Sequence, residues 1–302
     1  MSLLIVGSVA IDSVETPLGK ADNVIGGAAT YCALAASFFV PVRMVAAIGD
    51  DFPPEVLDDL KGRGIDLSGV ERRKGTTLRW TGRYHEDMNV RDTLHLDLGV
   101  FADFQPTLPE AYRDSAYVFL ANIDPRLQAS VLEQLRAPGV VGCDTMNHWI
   151  VESRPELERL LAKVDMLVIN DEEARLLSGE RNVVRAARRV LQMGPKTLLV
   201  KRGEYGVIQF AGDSIFAVPA FPLEEVFDPT GAGDCFAGGF MGQLARSGDT
   251  SPAGLRRAIV YGSVLASFVV EDFSHRRLQS LTQEAIERRY RQFVSLTDID
   301  GG

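Results

Sequence analysis

Three cysteines in 302 residues, Cys32, Cys143 and Cys235, are too few and too far apart to staple a fold or build a thiolate metal cluster. Each reads as a buried neutral thiol. Cys235 has no histidine near it in sequence, which argues against a nucleophilic role. Histidine is as scarce: His85, His95, His148 and His275 show no metal-ligand spacing. No run of 18 apolar residues occurs, so no membrane span is expected. The segment Met1–Gly7 reads as a first strand rather than a signal peptide, and a cytoplasmic location is the expectation. Lysine and arginine total 32 against 41 aspartate and glutamate, a net charge of −9, which argues against nucleic acid or an anionic membrane as main partner. There is no Gly-x-x-x-x-Gly-Lys-Ser/Thr, and no Gly-x-Gly-x-x-Gly follows the first strand. A P-loop and a dinucleotide fold are therefore set aside.

What is present is an ordinary globular composition, 46% hydrophobic and 24% charged, enough for a large core. Short apolar runs alternate with helical patterns. Strands are expected at Leu3–Val6, Arg43–Ala47, Tyr117–Ala121, Val140–Cys143, Met166–Ile169 and Thr197–Lys201. Helices are expected at Ala28–Phe39, Pro54–Arg63, Leu127–Arg136, Pro155–Ala162, Asp171–Leu177, Val183–Met193, Ala232–Arg246, Pro252–Val270 and Gln283–Phe293. Continuous apolar strands between helices predict an α/β fold with a mainly parallel sheet covered on both faces. Thr76–Leu98 breaks the alternation: two period-two segments flank a polar turn at Glu86–Asn89, an inserted hairpin. It could serve as a flap, a dimer interface or a lid.

The most informative stretch is Asp228-Pro-Thr-Gly-Ala-Gly-Asp234, which leads into the helical run Cys235–Leu244. Gly231 and Gly233 let the backbone approach a ligand closely. A helix N-terminus offers unpaired N–H groups and a partial positive charge, which suits phosphate. Asp234 supplies a carboxylate in the first turn, where it could act as a base. Four weaker places join it. Asp12, after the first strand, could accept hydrogen bonds from two sugar hydroxyls. Gly26-Gly27 is a second glycine pair at a helix start. Asn170-Asp-Glu-Glu173 follows an apolar strand and could either cap a helix or hold hydrated Mg²⁺. Lys201 and Gly203, after another strand, could meet a nucleotide phosphate or form a hairpin turn.

In this order the motifs resemble the ribokinase-like (PfkB) carbohydrate and nucleoside kinase family along nearly the whole chain. The resemblance implies a three-layer α/β/α domain over residues 1–302 with a mainly parallel central sheet and a small β lid, formed by about 12–24 and 76–98. It implies ATP-dependent phosphorylation of a hydroxymethyl group on a sugar or sugar-like molecule, or on a nucleoside. Asp234 would be the base, with an anion hole from the amides of Gly231, Ala232 and Gly233. Asp12, Gly26, Gly27 and Tyr31 would face the acceptor. Asn170, Lys201, Gly203, Asp228 and Thr230 would face the nucleotide. Asn170 and Glu173 would organise Mg²⁺ largely through water. A monovalent cation and a homodimer through the lid are left open, as is a non-catalytic sugar or nucleotide sensor.

The chain also departs from the family pattern. Tyr31 stands where many sugar kinases have Asn, Phe52-Pro-Pro54 follows Gly49-Asp-Asp51, and Val269-Val-Glu-Asp-Phe273 replaces a Gly-Ala near the adenine pocket. Tyr31 and Trp80 could stack a base. Arg79, Arg83 and Arg91 could meet a phosphorylated acceptor.

Overall fold

Strands that are apolar on both faces need cover on both faces, and the computed structural model, which describes residues 1–298, supplies it. The chain opens with β1 (Leu3–Val6), β2 (Ala10–Thr16), β3 (Gly19–Gly26), α1 (Ala28–Ser37), β4 (Val42–Ile48), α2 (Pro54–Gly62) and β5 (Ile65–Arg72). Next come β6 (Leu78–Tyr84), β7 (Arg91–Asp97), β8 (Tyr117–Leu120), α3 (Pro125–Gln134), β9 (Val140–Asp144), α4 (Asn147–Glu152) and α5 (Arg154–Leu161). The remainder is β10 (Met166–Asn170), α6 (Asp171–Ser178), α7 (Val183–Leu191), β11 (Thr197–Lys201), β12 (Val207–Ala211), β13 (Ser214–Val218), α8 (Ala232–Ser247), α9 (Pro252–Val269), α10 (Arg276–Gln279) and α11 (Gln283–Thr297).

Nine strands form one sheet in the order β13-β12-β11-β10-β9-β8-β1-β4-β5. Pairing is parallel from β11 to β5 and turns antiparallel at the β12–β13 edge. Successive side chains of β1 go to opposite cores. Leu3 and Ile5 join α1, α8 and α9, whereas Leu4 and Val6 join the side covered by α3, α5, α6 and α7. The result is three layers.

The α1–α8–α9 layer is close-packed because α8 is small where it crosses its neighbours. A Cβ at Gly238 would come within 2.2 Å of the Cys32 carbonyl on α1, and one at Gly239 within 3.1 Å of Gly262 on α9. Alanine at Gly238 would have to push α1 away.

The second sheet, β3-β2-β6-β7, holds the segments expected for the hairpin and its partner. β2 pairs β6 in parallel; the other pairs are antiparallel. Its inner face is a small cluster of Val14, Ala21, Tyr84 and Phe273. Every residue of β7 is exposed, including Leu94 and Leu96. One expectation changes here. Asp12 does not sit at the end of the first strand, because β1 stops at Val6 and the chain crosses into the small sheet at Ala10. Asp12 therefore lies inside β2.

Candidate active site

β9, β10 and β11 are parallel neighbours in register, with Val168 opposite Asp144 and Asn170 opposite Lys201. Each strand has an apolar middle and ends on one polar residue, Asp144, Asn170 or Lys201. Ligands of open α/β sheets bind at such ends.

The first turn of α8 meets this edge. A Cβ added at Gly233 would stand 2.8 Å from Lys201 Nζ, so glycine is what lets the ammonium lie against the turn. Lys201 Nζ is 3.6 Å from Asp144 Oδ2. Burial works against the ammonium, but the charges of Asp144, Glu173 and Asp234 outweigh it and hold its pKa above the ordinary lysine value. Burial, then the charge of Asp144, pushes Asp234 up to about 7 against the pull of Lys201 and Arg91. Burial likewise takes Glu173 to about 7, with Lys201 opposing and Asp144 adding to the rise. Asp144 is raised by its own burial, with Lys201 pulling it back. Three carboxylates, Asp144 and Glu173 buried and Asp234 half-buried, thus share one lysine.

Asn170 and Glu173 form a capping box at the start of α6. Glu173 N–H donates to Asn170 Oδ1 at 2.7 Å, and Asn170 N–H donates to Glu173 Oε2 at 2.7 Å. The capping reading is therefore present, and it leaves Oε1 of Glu173 outside the box.

The turn before α8 is pinned from several sides. Gly231 has φ 77°, and a Cβ there would fall 2.5 Å from the Tyr31 ring, so both backbone and space demand glycine. Ala232 N–H donates to the Pro229 carbonyl at 3.1 Å. This corrects the expected anion hole: the tight turn that starts α8 consumes the Ala232 donor. No hydrogen-bond acceptor among the described residues takes the N–H of Gly231 or Gly233. Asp228, 1% exposed, accepts from Thr230 N–H at 2.9 Å and from Ser274 N–H at 3.0 Å. It braces the turn and does not face outward. Ser274, with φ 58°, also donates from Oγ to the Ile25 carbonyl at 2.5 Å, tying the turn to β3. Thr230 Oγ1 donates to Tyr84 Oη at 3.1 Å, tying it to β6.

Across the site, Asp12 is 4% exposed and its Oδ1 is buried without a hydrogen-bond partner. Burial, then the charges of Asp228 and Asp234, raises its pKa to about 7, while the Gly27 N–H opposes the rise. Gly26 makes room for it: a Cβ there would lie 1.7 Å from Asp12 Oδ2. Gly27, at φ 94°, turns the chain into α1, where a Cβ would strike the Ser8 carbonyl at 2.5 Å.

Tyr31 is 2% exposed and its ring backs Gly231, so it packs the turn instead of presenting a free face. Trp80 lies on the small sheet with Nε1 bonded to Thr93 Oγ1 at 3.1 Å. Gly203 opens a 3₁₀ turn between β11 and β12 and packs against Asn89 of the β6–β7 loop. His85 and His95 are exposed on the small sheet.

Sequence reasoning passed over Asp144, Tyr84 and Ser274. Asp144 carried a usable signal, a lone carboxylate ending an apolar strand like Asn170 and Lys201. Tyr84 and Ser274 act across 146 and 46 residues of chain and carried none.

Comparison with known proteins fits this geometry. A cytidine kinase from Thermococcus kodakarensis is 33% identical over 251 residues, covering 82% of this chain and 89% of the relative. A nucleoside kinase from Methanothermobacter thermautotrophicus is 28% identical over 304 residues, 95% and 94% of the two chains. Aminoimidazole riboside kinase from Salmonella enterica, solved with aminoimidazole riboside and an ATP analogue, superposes with a TM-score of 0.77 at 21% identity, covering 97% of this chain and all of that one. Among the described residues no helix is long and apolar enough to cross a membrane. The model of the pfkB family of carbohydrate kinases matches residues 2–280, and the chain belongs to that family of ATP-dependent phosphotransferases acting on sugars and sugar-like molecules.

Proposed function

We propose that the protein transfers the γ-phosphoryl group of ATP to the primary hydroxyl of a ribosyl group, with Asp234 as general base. The observation that carries this reading is the clustering of Asp234, Lys201 and Gly233 at the N-terminus of α8. Asp234 accepts the proton of the acceptor hydroxyl as its oxygen attacks phosphorus, and ADP leaves. The N–H groups of Gly231 and Gly233, with Lys201, offset the charge on the transferred group. Asp12 holds acceptor hydroxyls through its unpartnered Oδ1. Gly26 and Gly27 let that carboxylate and the start of α1 come close to the acceptor.

The donor set fits Mg²⁺ held through water. Glu173 keeps one oxygen outside its capping box, and the local carboxylates outnumber Lys201. Asn170 and Glu173 would hold the ion, and it would supply neutralisation of phosphate charge there.

The small sheet acts as a lid over the acceptor side. Its outer strand β7, with Leu94 and Leu96 about half exposed, is the edge on which a homodimer would form.

A nucleoside acceptor is favoured over a free sugar by the cytidine and nucleoside kinase relatives. A coupled assay with Mg·ATP across nucleosides, free sugars and phosphosugars tests this. We expect the highest kcat/KM for a nucleoside, phosphorylated at its primary hydroxyl. A free pentose or hexose turned over more efficiently than every nucleoside would overturn the nucleoside assignment.

A further inference from the structure

Three arginines of the small sheet point to different ends. Arg79 is paired with Asp51 at 2.7 Å and Arg83 with Glu15 at 3.2 Å. Arg91, the first residue of β7, has no carboxylate within ion-pair distance among the described residues. It stands opposite Tyr84 in the β6–β7 register, where its positive charge bears on the Tyr84 phenol, and it lies 5.9 Å from the centre of the Trp80 ring.

Both ends of this arrangement are anchored beside the site. Tyr84 Oη is bonded to Thr230, four residues before Asp234. On the other side of Arg91, Asn89 Nδ2 donates to Glu204 Oε2 at 2.6 Å. Gly203 accommodates that contact, since a Cβ there would come within 2.0 Å of Asn89 Oδ1. The hairpin therefore bridges the Asp228–Asp234 turn and the loop after Lys201, and Arg91 lies between the two anchors.

We propose that Arg91 is a catalytic residue delivered by the small sheet, a cation in cis that contacts the transferring phosphoryl group opposite Lys201. Tyr84 is its positioning residue. The inference rests on the kinase reading above. Its electrostatics agree: the positive charge of Arg91 reaches Asp234 and Glu173 and favours the ionised form of both. A planar, permanently charged guanidinium is suited to phosphoryl oxygens, and an arginine placed in this way lowers the barrier by meeting charge that develops in the transition state.

The test uses the full chain with Arg91→Gln, Arg91→Lys and Tyr84→Phe, each checked for an unchanged thermal melt. In Arg91→Gln we expect kcat to fall about 100-fold or more, with the acceptor KM moved by less than about threefold. Arg91→Lys should recover part of the loss, and Tyr84→Phe should lower kcat less than Arg91→Gln does. The acid limb of kcat/KM should also move to higher pH in Arg91→Gln. Asp234 then loses one of the two cations that face it and keeps Lys201, Asp144 and the more distant Asp12. A retained kcat with a raised acceptor KM would overturn the proposal in favour of recognition of an anionic acceptor. Unchanged kcat and KM would reduce Arg91 to a surface residue. These outcomes are separable from the base assignment, because Asp234→Asn tests that assignment with Arg91 intact.

Discussion

The two walls of the site are built by different means. The wall made by β9, β10, β11 and the start of α8 is assembled from backbone: strand ends in register, a capping box, a left-handed Gly231, and a Gly233 that lets Lys201 lie against the helix. The opposite wall, β2-β3-β6-β7, has one small apolar cluster, a fully exposed outer strand, and a few side-chain bonds to the rest of the site. A wall fixed by backbone suits chemistry that must be pre-organised. One held by side chains suits opening for the acceptor.

The largest effect expected from breaking this contrast is at Lys201. Lys201→Met removes the one ammonium shared by Asp144, Glu173 and Asp234. We expect kcat to fall by roughly 10²–10³, measured by steady-state kinetics at saturating Mg·ATP. Next is Asp12→Asn. A charged hydrogen bond contributes about 1.5–3 kcal/mol, so acceptor kcat/KM should fall about 10- to 100-fold while the affinity for ATP is unchanged. Equal losses for both substrates would contradict a division of labour between the walls.

Titration separates activity from stability. Asp12, Glu173 and Asp234 all have pKa values raised to about 7 by burial. Their unfolded values are near 4, so between about pH 4 and 7 the folded state binds more protons than the unfolded chain. Stability from these groups is therefore greatest in acid and is lost as pH rises through about 7. Activity runs the other way, because the base must be ionised. We expect the ligand-free protein to melt a few degrees lower at pH 8 than at pH 6, while kcat/KM rises over the same interval. A melt that is flat with pH in the native chain would contradict the buried carboxylate cluster.

The smallest effect is expected at the hairpin tip. Asn89→Ala removes an exposed bond to Glu204. Such a bond contributes about 0.5–1.5 kcal/mol, so kcat should change only a few-fold while hydrogen exchange in β6 and β7 quickens. A large loss of kcat would mean that the outer wall is as tightly specified as the inner one.

The same contrast governs what could be read from the sequence. β1 and β11 were legible to the residue, and α8 to its first residue, because each has a continuous local pattern bounded by glycine or a polar residue. That Gly231 opens the turn into α8 and that Asn170 caps α6 was legible for the same reason. What was not legible depends on distance along the chain. That Tyr31 backs Gly231, that Ser274 braces Asp228 and that Thr230 reaches Tyr84 are contacts between distant segments with no local signature. Ala232 was misread as a free donor because a sequence shows a helix start but not the turn that closes on it. Asp12 was placed after the first strand because its own strand, Ala10–Thr16, pairs with distant segments in a second sheet, which no local pattern announces.

The central claim, that Asp234 takes the acceptor proton, is tested most directly by single-turnover kinetics of Asp234→Asn with saturating Mg·ATP and acceptor. With an unchanged melt and unchanged substrate affinities, the rate of phosphoryl transfer should fall by at least about 10²-fold and lose its acid limb near pH 7. Transfer at close to the native rate would contradict it.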